Sequence, residues 1–256
     1  MTDKKVVTVD HREYVAVVTM HRPPANYFDL ALIRELADAL EELDSQKCRA
    51  AVLASEGKHF CAGADFGGGG AIDDRAAASR QLYHEALRLF RIGMPVVAAV
   101  QGAAVGGGLG LACSADFRVT AASARFHANF AALGFHQGFA LSATLPRLVG
   151  RQKATELLYT ARKVGGAEAV EIGLADRLAD GDDPLPAAVA FAQEIAASAP
   201  LTVRSMKATM TAGLCEEVAA ATERELSEQG VQWSTEDCRI GIAASRDRTT
   251  PRFVGR

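Results

Sequence analysis

Several things are missing from this 256-residue sequence. No apolar run reaches the roughly 18 residues that a membrane-spanning helix needs, so a membrane partner is not expected. No basic stripe is present: 28 Lys and Arg are scattered among 31 Asp and Glu, for a net charge of -3, which argues against nucleic acid. Cys48, Cys61, Cys113, Cys215 and Cys238 lie far apart and are odd in number. They fit neither a metal site nor a disulfide framework and read as reduced thiols of a cytoplasmic protein. The start, MTDKKVVTVD, is charged and then strand-like, unlike a secretory signal. Internal repeats and linkers are lacking. So is a GxxxxGK[ST] phosphate loop, and GGGLG is a poor dinucleotide fingerprint without a later strand-end acid.

What is present is an ordinary globular composition, 49% hydrophobic and 23% charged, enough for one large core. KVVTVDHREYVAVVTM reads as two strands turning at Asp10–Arg12, and the imperfect alternation of YVAVVTM suits a strand covered on both faces. DLALIRELADALEELDSQ places Leu30, Ile33, Leu36, Ala37, Leu40 and Leu43 at helical spacing, with Asp29 as N-cap. AAVLAS and PVVAAV are buried strands, RAAASRQLYHEALRLFRIG is a long helix stopped by Gly93 and Pro95, and GGGLGLACSAD is a small-residue helix followed by the strand FRVTAAS. Beyond residue 140 helices dominate, TLPRLVGRQKATELLYT reading as one of them. This alternation predicts an α/β core with a largely parallel sheet and a helical C-terminal part.

Two glycine-bearing loops carry the chemistry. His59–Asp65 (HFCAGAD) follows the strand AAVLAS, and Ala104–Gly108 (AVGGG) follows PVVAAV. Small residues between a strand end and a helix start leave backbone N–H groups free, and such groups attract negative charge. Two of them converging on one oxygen make an oxyanion hole. Tight helix–strand packing is the plainer use of the same glycines.

FCAGAD, followed by PVVAAVQGAAVGGGLGLACSADFRV, resembles the crotonase superfamily of enoyl-CoA hydratases and isomerases. HRPPAN, PRLVGRQKATELLYTARKVGGAEAVEIGLADRL and the closing STEDCRIGIAASRDRTTPRF extend the likeness over nearly the whole chain. The resemblance implies a spiral of ββα turns over residues 1–195 and, over 196–256, a C-terminal helical trimerisation region that also covers the active site. It further implies a homotrimer or dimer of trimers, and an acyl-CoA thioester as substrate, with coenzyme A arriving as part of that substrate and no permanently bound cofactor or metal. The implied oxyanion donors are the N–H groups of Ala64 and Gly107, and the implied substrate channel includes Asn26, Ala62, Gly63, Asp65, Phe66, Gly106, Phe130 and Gly138. Asp65 and Asp116 are expected to be structural, and Arg252 is a candidate for the CoA phosphates.

One departure stands out. The two glutamates that hydratases place in the pocket align with Gly110 and Phe130, and a further acid kept by some isomerases aligns with Gly138. A pair of carboxylates activates water and handles the α-proton, so standard hydration is doubtful. His136 is the candidate replacement acid or base; His127 is a weaker one, and His59 and His84 are expected at the surface. Isomerase, decarboxylase and hydrolase chemistry stay open, as does a catalytically silent CoA-thioester-binding or assembly protein. Gly67–Gly70 would suit a lid, or a passive linker.

Overall fold

The computed structural model describes residues 5–64 and 72–256, without the side chains of 72–76. Asp65, Phe66 and the Gly67–Gly70 run therefore lie outside the described residues. Strands β1 (Val7–Arg12) and β2 (Val15–Met20) form an antiparallel hairpin. Its turn falls at Glu13–Tyr14, not at Asp10–Arg12: those three polar residues pair with Val17, Ala16 and Val15. β1 is an edge strand whose side chains after the buried Val7 are exposed, where polar residues cost little.

From β2 the chain repeats one step: a strand in the main sheet, a short extended segment in a second layer, then a helix. β2 leads through Ala25–Phe28 to α1 (Leu30–Ser45), whose N-terminus Asp29 caps by accepting from Leu32 N–H at 2.9 Å. β3 (Ala50–Ser55) leads through Phe60–Ala64 to α2 (Ile72–Ala86), which tightens into a 3-10 turn at Leu87–Arg91. β4 (Val96–Val100) and β5 (Ala103–Val105) lead to α3 (Gly107–Cys113), and β6 (Phe117–Thr120) and β7 (Arg125–His127) to the short α4 (Phe130–Leu133). There follow α5 (Leu141–Val149), α6 (Arg151–Thr160), β8 (Lys163–Gly165), α7 (Gly166–Glu171), β9 (Arg177–Leu178), α8 (Leu185–Ala196), α9 (Pro200–Met210), α10 (Leu214–Gln232) and α11 (Glu236–Asp247). TLPRLVGRQKATELLYT is thus two helices, broken where Gly150 adopts a φ of +76°.

The main sheet has the order β1-β2-β3-β4-β6-β9, parallel throughout except for the first pair, and β5-β7-β8 form a second sheet. The extended segments of the earlier turns stack onto that second layer, through bridges Phe28–Ala64 and Cys61–Ala104. The result is the expected α/β spiral of ββα turns. Both faces of the main sheet are covered. Ala16, Val18 and Met20 join the principal core, while Val15 and Val17 meet Ala188, Val189 and Ala192 of α8. Hence the weak alternation of β2. α10 then packs across α2 and α5, and α11 on α4. No helix among the described residues is long and apolar enough to cross a membrane.

Candidate active site

The two glycine loops lie side by side because their backbone groups interlock. Phe28 N–H donates to Gly63 O at 3.1 Å and Ala62 N–H to Ala25 O at 2.9 Å. On the other side Cys61 N–H donates to Ala103 O at 2.9 Å and Val105 N–H to Cys61 O at 3.0 Å. Gly106 N–H is satisfied by His127 O at 2.8 Å. Ala64 N–H and Gly107 N–H are different: neither finds an acceptor among the described residues. Gly107 opens α3, so its N–H is one of the groups a helix start leaves unpaired.

Ala62, Gly63, Ala64, Gly106 and Gly107 line one cavity of about 480 Å³. The glycines are sterically required. Gly106 has φ +56° and ψ -121°, and a Cβ there would come within 2.9 Å of Asn129 Oδ1. A Cβ on Gly107 would run into the ring of Phe28, and one on Gly108 into the carbonyl of Cys61.

Much of the remaining lining is apolar, from Phe28, Leu82, Phe130, Leu133, Phe135 and Trp233. The polar lining is Asp29, Ser79, Gln81, Tyr83, Asn129 and Gln229. Asp29 is therefore the one carboxylate among the described lining residues. Burial pushes its pKa up, but the Arg22 guanidinium at 2.6 Å and the Leu32 N–H hold it below the ordinary value overall. Burial raises the Tyr83 phenol well above its usual range. Cys61, behind the first loop, is pushed up to about 12 by burial, so it stays a thiol and not a nucleophile.

Other expected residues fall elsewhere. Asn26 is fully buried and serves as a strut: its Oδ1 accepts from Arg22 N–H at 2.9 Å, and its Nδ2 donates to Glu56 O at 2.8 Å and His59 O at 2.6 Å. It does not line the cavity. His136 lines a separate cavity of about 400 Å³ with Gln232, Thr235 and Asp237, its Nδ1 2.9 Å from Gln137 O. What it turns toward the main site is its backbone carbonyl, which accepts from Gln229 Nε2 at 2.9 Å. His127 is anchored by Nε2 to Ala161 O at 2.7 Å, and burial lowers its pKa. His84 pairs at the surface with Glu223 at 2.8 Å. His59 is half-buried, and its Nδ1 is a buried atom with no hydrogen-bond partner among the described residues. Burial, then Lys58 and Arg125, lower its pKa. Arg252 is exposed, and Asp116 accepts from Val96 N–H and Lys207 Nζ.

Phe130 lines the cavity, edge-on to Phe135 at 5.9 Å. Gly110 sits inside α3, where a Cβ would come within 2.5 Å of Phe139 Cβ. Gly138 stands just behind the lining, against Tyr83 Oη and Gln229 Nε2. Gln229 and Trp233 were not singled out from sequence; their spacing of four on an amphipathic helix was the available signal.

Comparison with known proteins agrees with this architecture. The enoyl-CoA hydratase/isomerase family model matches residues 10–256. A crotonyl-CoA hydratase of Syntrophomonas wolfei is 31% identical, covering 98% of either chain. The mitochondrial enoyl-CoA hydratase domain-containing protein 2 of Mus musculus is 32% identical over 94% of this chain and 85% of its own. An enoyl-CoA hydratase/isomerase structure from Pseudoalteromonas atlantica superposes with a TM-score of 0.85 at 28% identity, covering 98% of this chain and 100% of that one. With the spiral, the paired glycine loops and a family match that runs from the first hairpin to the last residue, the chain belongs to the enoyl-CoA hydratase/isomerase family.

Proposed function

We propose that the protein binds an acyl-CoA thioester in the 480 Å³ cavity and stabilises its enolate, with the thioester oxygen held by Ala64 N–H and Gly107 N–H. The observation that carries this reading is the pair of backbone donors, both at the cavity and both without an internal acceptor among the described residues. Fixed donors aimed at developing charge cost no reorganisation as the reaction proceeds. Ala62, Gly63 and Gly106 shape the channel, and Phe130 and the aromatic walls take the acyl group.

The reaction is one that needs no pair of protein carboxylates. Gly110 and Phe130 stand where a hydratase carries its glutamates, and Phe139 fills the space beside Gly110. His136 faces a different cavity, which disfavours double-bond migration or hydrolysis assisted by its imidazole. Decarboxylation suits the arrangement. In a carboxyacyl-CoA the bond from the α-carbon to the carboxylate breaks and carbon dioxide leaves. The electron pair moves into the thioester, and the enolate takes a proton from water. Apolar walls strip solvent from the carboxylate and favour that loss.

The absent carboxylates also support a second reading, a catalytically silent CoA-thioester binder. One experiment separates the two: incubation with crotonyl-, 3-enoyl-, malonyl-, methylmalonyl- and aromatic acyl-CoAs, with products followed by mass spectrometry. Decarboxylated acyl-CoA from malonyl- or methylmalonyl-CoA is expected. Binding without turnover would leave the silent reading, and rapid hydration of crotonyl-CoA would overturn the reading of Gly110 and Phe130.

The helical region 196–256 is read as a cover for the site, through Gln229 and Trp233, and as the surface for a homotrimer or dimer of trimers. Exposed Leu201, Met206 and Met210 on α9 are what such a contact would bury, and sedimentation velocity measures the assembly.

A further inference from the structure

Among the residues lining the cavity, Asn129 is a polar side chain without a partner. It is the N-cap of α4, a place that favours asparagine because the side chain accepts from a first-turn N–H. Here it makes no such bond, and its carboxamide forms no other hydrogen bond among the described residues. Both polar atoms of the carboxamide keep accessible surface, unlike the sealed Nδ1 of His59 and Nε1 of Trp233. A preferred cap that does not cap breaks a local rule, and such breaks gather at functional sites.

The carboxamide lies instead against the second glycine loop. The Cβ that Gly106 lacks would stand 2.9 Å from Asn129 Oδ1. With Gly106 at ψ -121°, that missing Cβ would be eclipsed with the next nitrogen, in the plane of the Gly107 peptide and beside its N–H. The carboxamide therefore borders the space at Gly107 N–H, within about 6 Å of that nitrogen by standard bond lengths. Glycine at 106 leaves that space open. No hydrogen bond among the described residues holds the amide, and its terminal torsion is broad, so either end can face the space. Its Nδ2 carries two N–H donors within reach of an oxygen bound to Gly107 N–H.

We infer that Asn129 is a catalytic residue that supplies a third donor to the oxyanion position, its Nδ2–H joining Ala64 N–H and Gly107 N–H on the thioester oxygen. This rests on the acyl-CoA reading above and adds a side chain to a hole otherwise made of backbone. A carbonyl oxygen offers two lone pairs, which the two backbone donors use. An enolate oxygen carries more charge, so a third donor gains strength as the enolate forms.

Butyryl-CoA is the probe, and no turnover is required. The asparagines of the chain are Asn26 and Asn129, so protein labelled with nitrogen-15 in its asparagine carboxamides gives two side-chain signals in NMR. Asn26, tied by three hydrogen bonds, is the internal reference. As butyryl-CoA saturates the site, one Asn129 amide proton is expected to move downfield and to exchange more slowly with water, while Asn26 stays in place. Asn129→Leu keeps the side-chain volume and removes the amide. It should weaken butyryl-CoA by about three- to tenfold in calorimetry. It should also return the stretch of the bound, carbon-13-labelled thioester carbonyl part of the way to its aqueous frequency. Asn129→Asp, which sets a charge without a donor beside the thioester oxygen, should weaken binding more than Asn129→Leu does. If Asn129→Leu fails to fold, Asn129→Asp and the wild-type titration still decide. An Asn129 signal that does not move at saturation, an unchanged affinity and carbonyl stretch in Asn129→Leu, or wild-type affinity in Asn129→Asp would each overturn the inference and leave the acyl-CoA reading intact. If butyryl-CoA does not bind the wild-type protein, both fall.

Discussion

The two walls of the cavity are made in different ways. One is backbone: Ala62–Ala64 and Gly106–Gly107, stitched to their neighbours by Phe28 N–H, Ala62 N–H, Cys61 N–H and Val105 N–H. The other is side chain: Tyr83 from α2, with Gln229 and Trp233 from the end of α10, brought together across 146 residues between Tyr83 and Gln229. The backbone wall presents donors whose positions are set by the spiral itself. The side-chain wall presents groups that any substitution can change. Chemistry common to a family belongs on the first and substrate choice on the second.

That division can be broken most severely on the backbone wall. Gly107→Ala pushes a Cβ into the Phe28 ring and displaces the N–H that opens α3. Turnover of the substrate found by mass spectrometry should fall by about 10²–10³ in kcat, the usual consequence of losing one oxyanion donor. Equal turnover would remove Gly107 from the site. Next comes the strut behind that wall. Asn26→Ala removes the side-chain partner of Arg22 N–H and of Glu56 O, and one of the two donors to His59 O. Urea denaturation should show a loss of about 3 kcal/mol, and a change within experimental error would mean the loop is held by other contacts.

The side-chain wall carries its own test through Glu225 of α10. This buried carboxylate accepts from Ala140 N–H and Ser142 N–H, both at 2.8 Å, and so holds the turn that sets Phe139 against Phe28 and Tyr83. Burial outweighs those donors and pushes its pKa up from 4.5 to about 7. The folded state therefore favours the protonated acid. Its contribution to stability is fully present below about pH 4.5 and is lost as the pH rises through 7, by at most about 3 kcal/mol. Denaturation midpoints from pH 4.5 to 8 should show this slope, and Glu225→Gln should flatten it; an unchanged slope in the variant would assign it to other groups. The smallest expected effect lies between the walls. Gly110→Glu introduces a carboxylate into α3 but meets Phe139 in space. We expect a stability loss of about 2 kcal/mol and no gain of crotonyl-CoA hydration. A gain would show that Phe139 yields.

The same contrast explains what was legible from residues alone. The α1 cap at Asp29, the doubly covered β2 and the two small-residue loops are local patterns, visible in a run of a few residues. The three-residue strands β5, β7 and β8 are too short to declare themselves, and the break at Gly150 needed only one residue to change conformation. For His136, position in a loop does not say which way a ring turns; here the ring lines a second cavity while the carbonyl accepts from Gln229. Asn26 was read as a channel residue, yet its amide is used up in bracing two loops. Gln229 and Trp233 become site residues only when α10 folds back over α2, a packing decision made by the whole core.

Polarisation of a bound thioester by Ala64 N–H and Gly107 N–H leaves a direct spectroscopic trace. Isotope-edited infrared spectroscopy of butyryl-CoA, labelled with carbon-13 at the thioester carbonyl, measures this directly. The bound carbonyl stretch is expected below its frequency in water, and should return toward it in the Gly107→Ala protein. A bound carbonyl that absorbs at or above its aqueous frequency in the wild-type protein would contradict it.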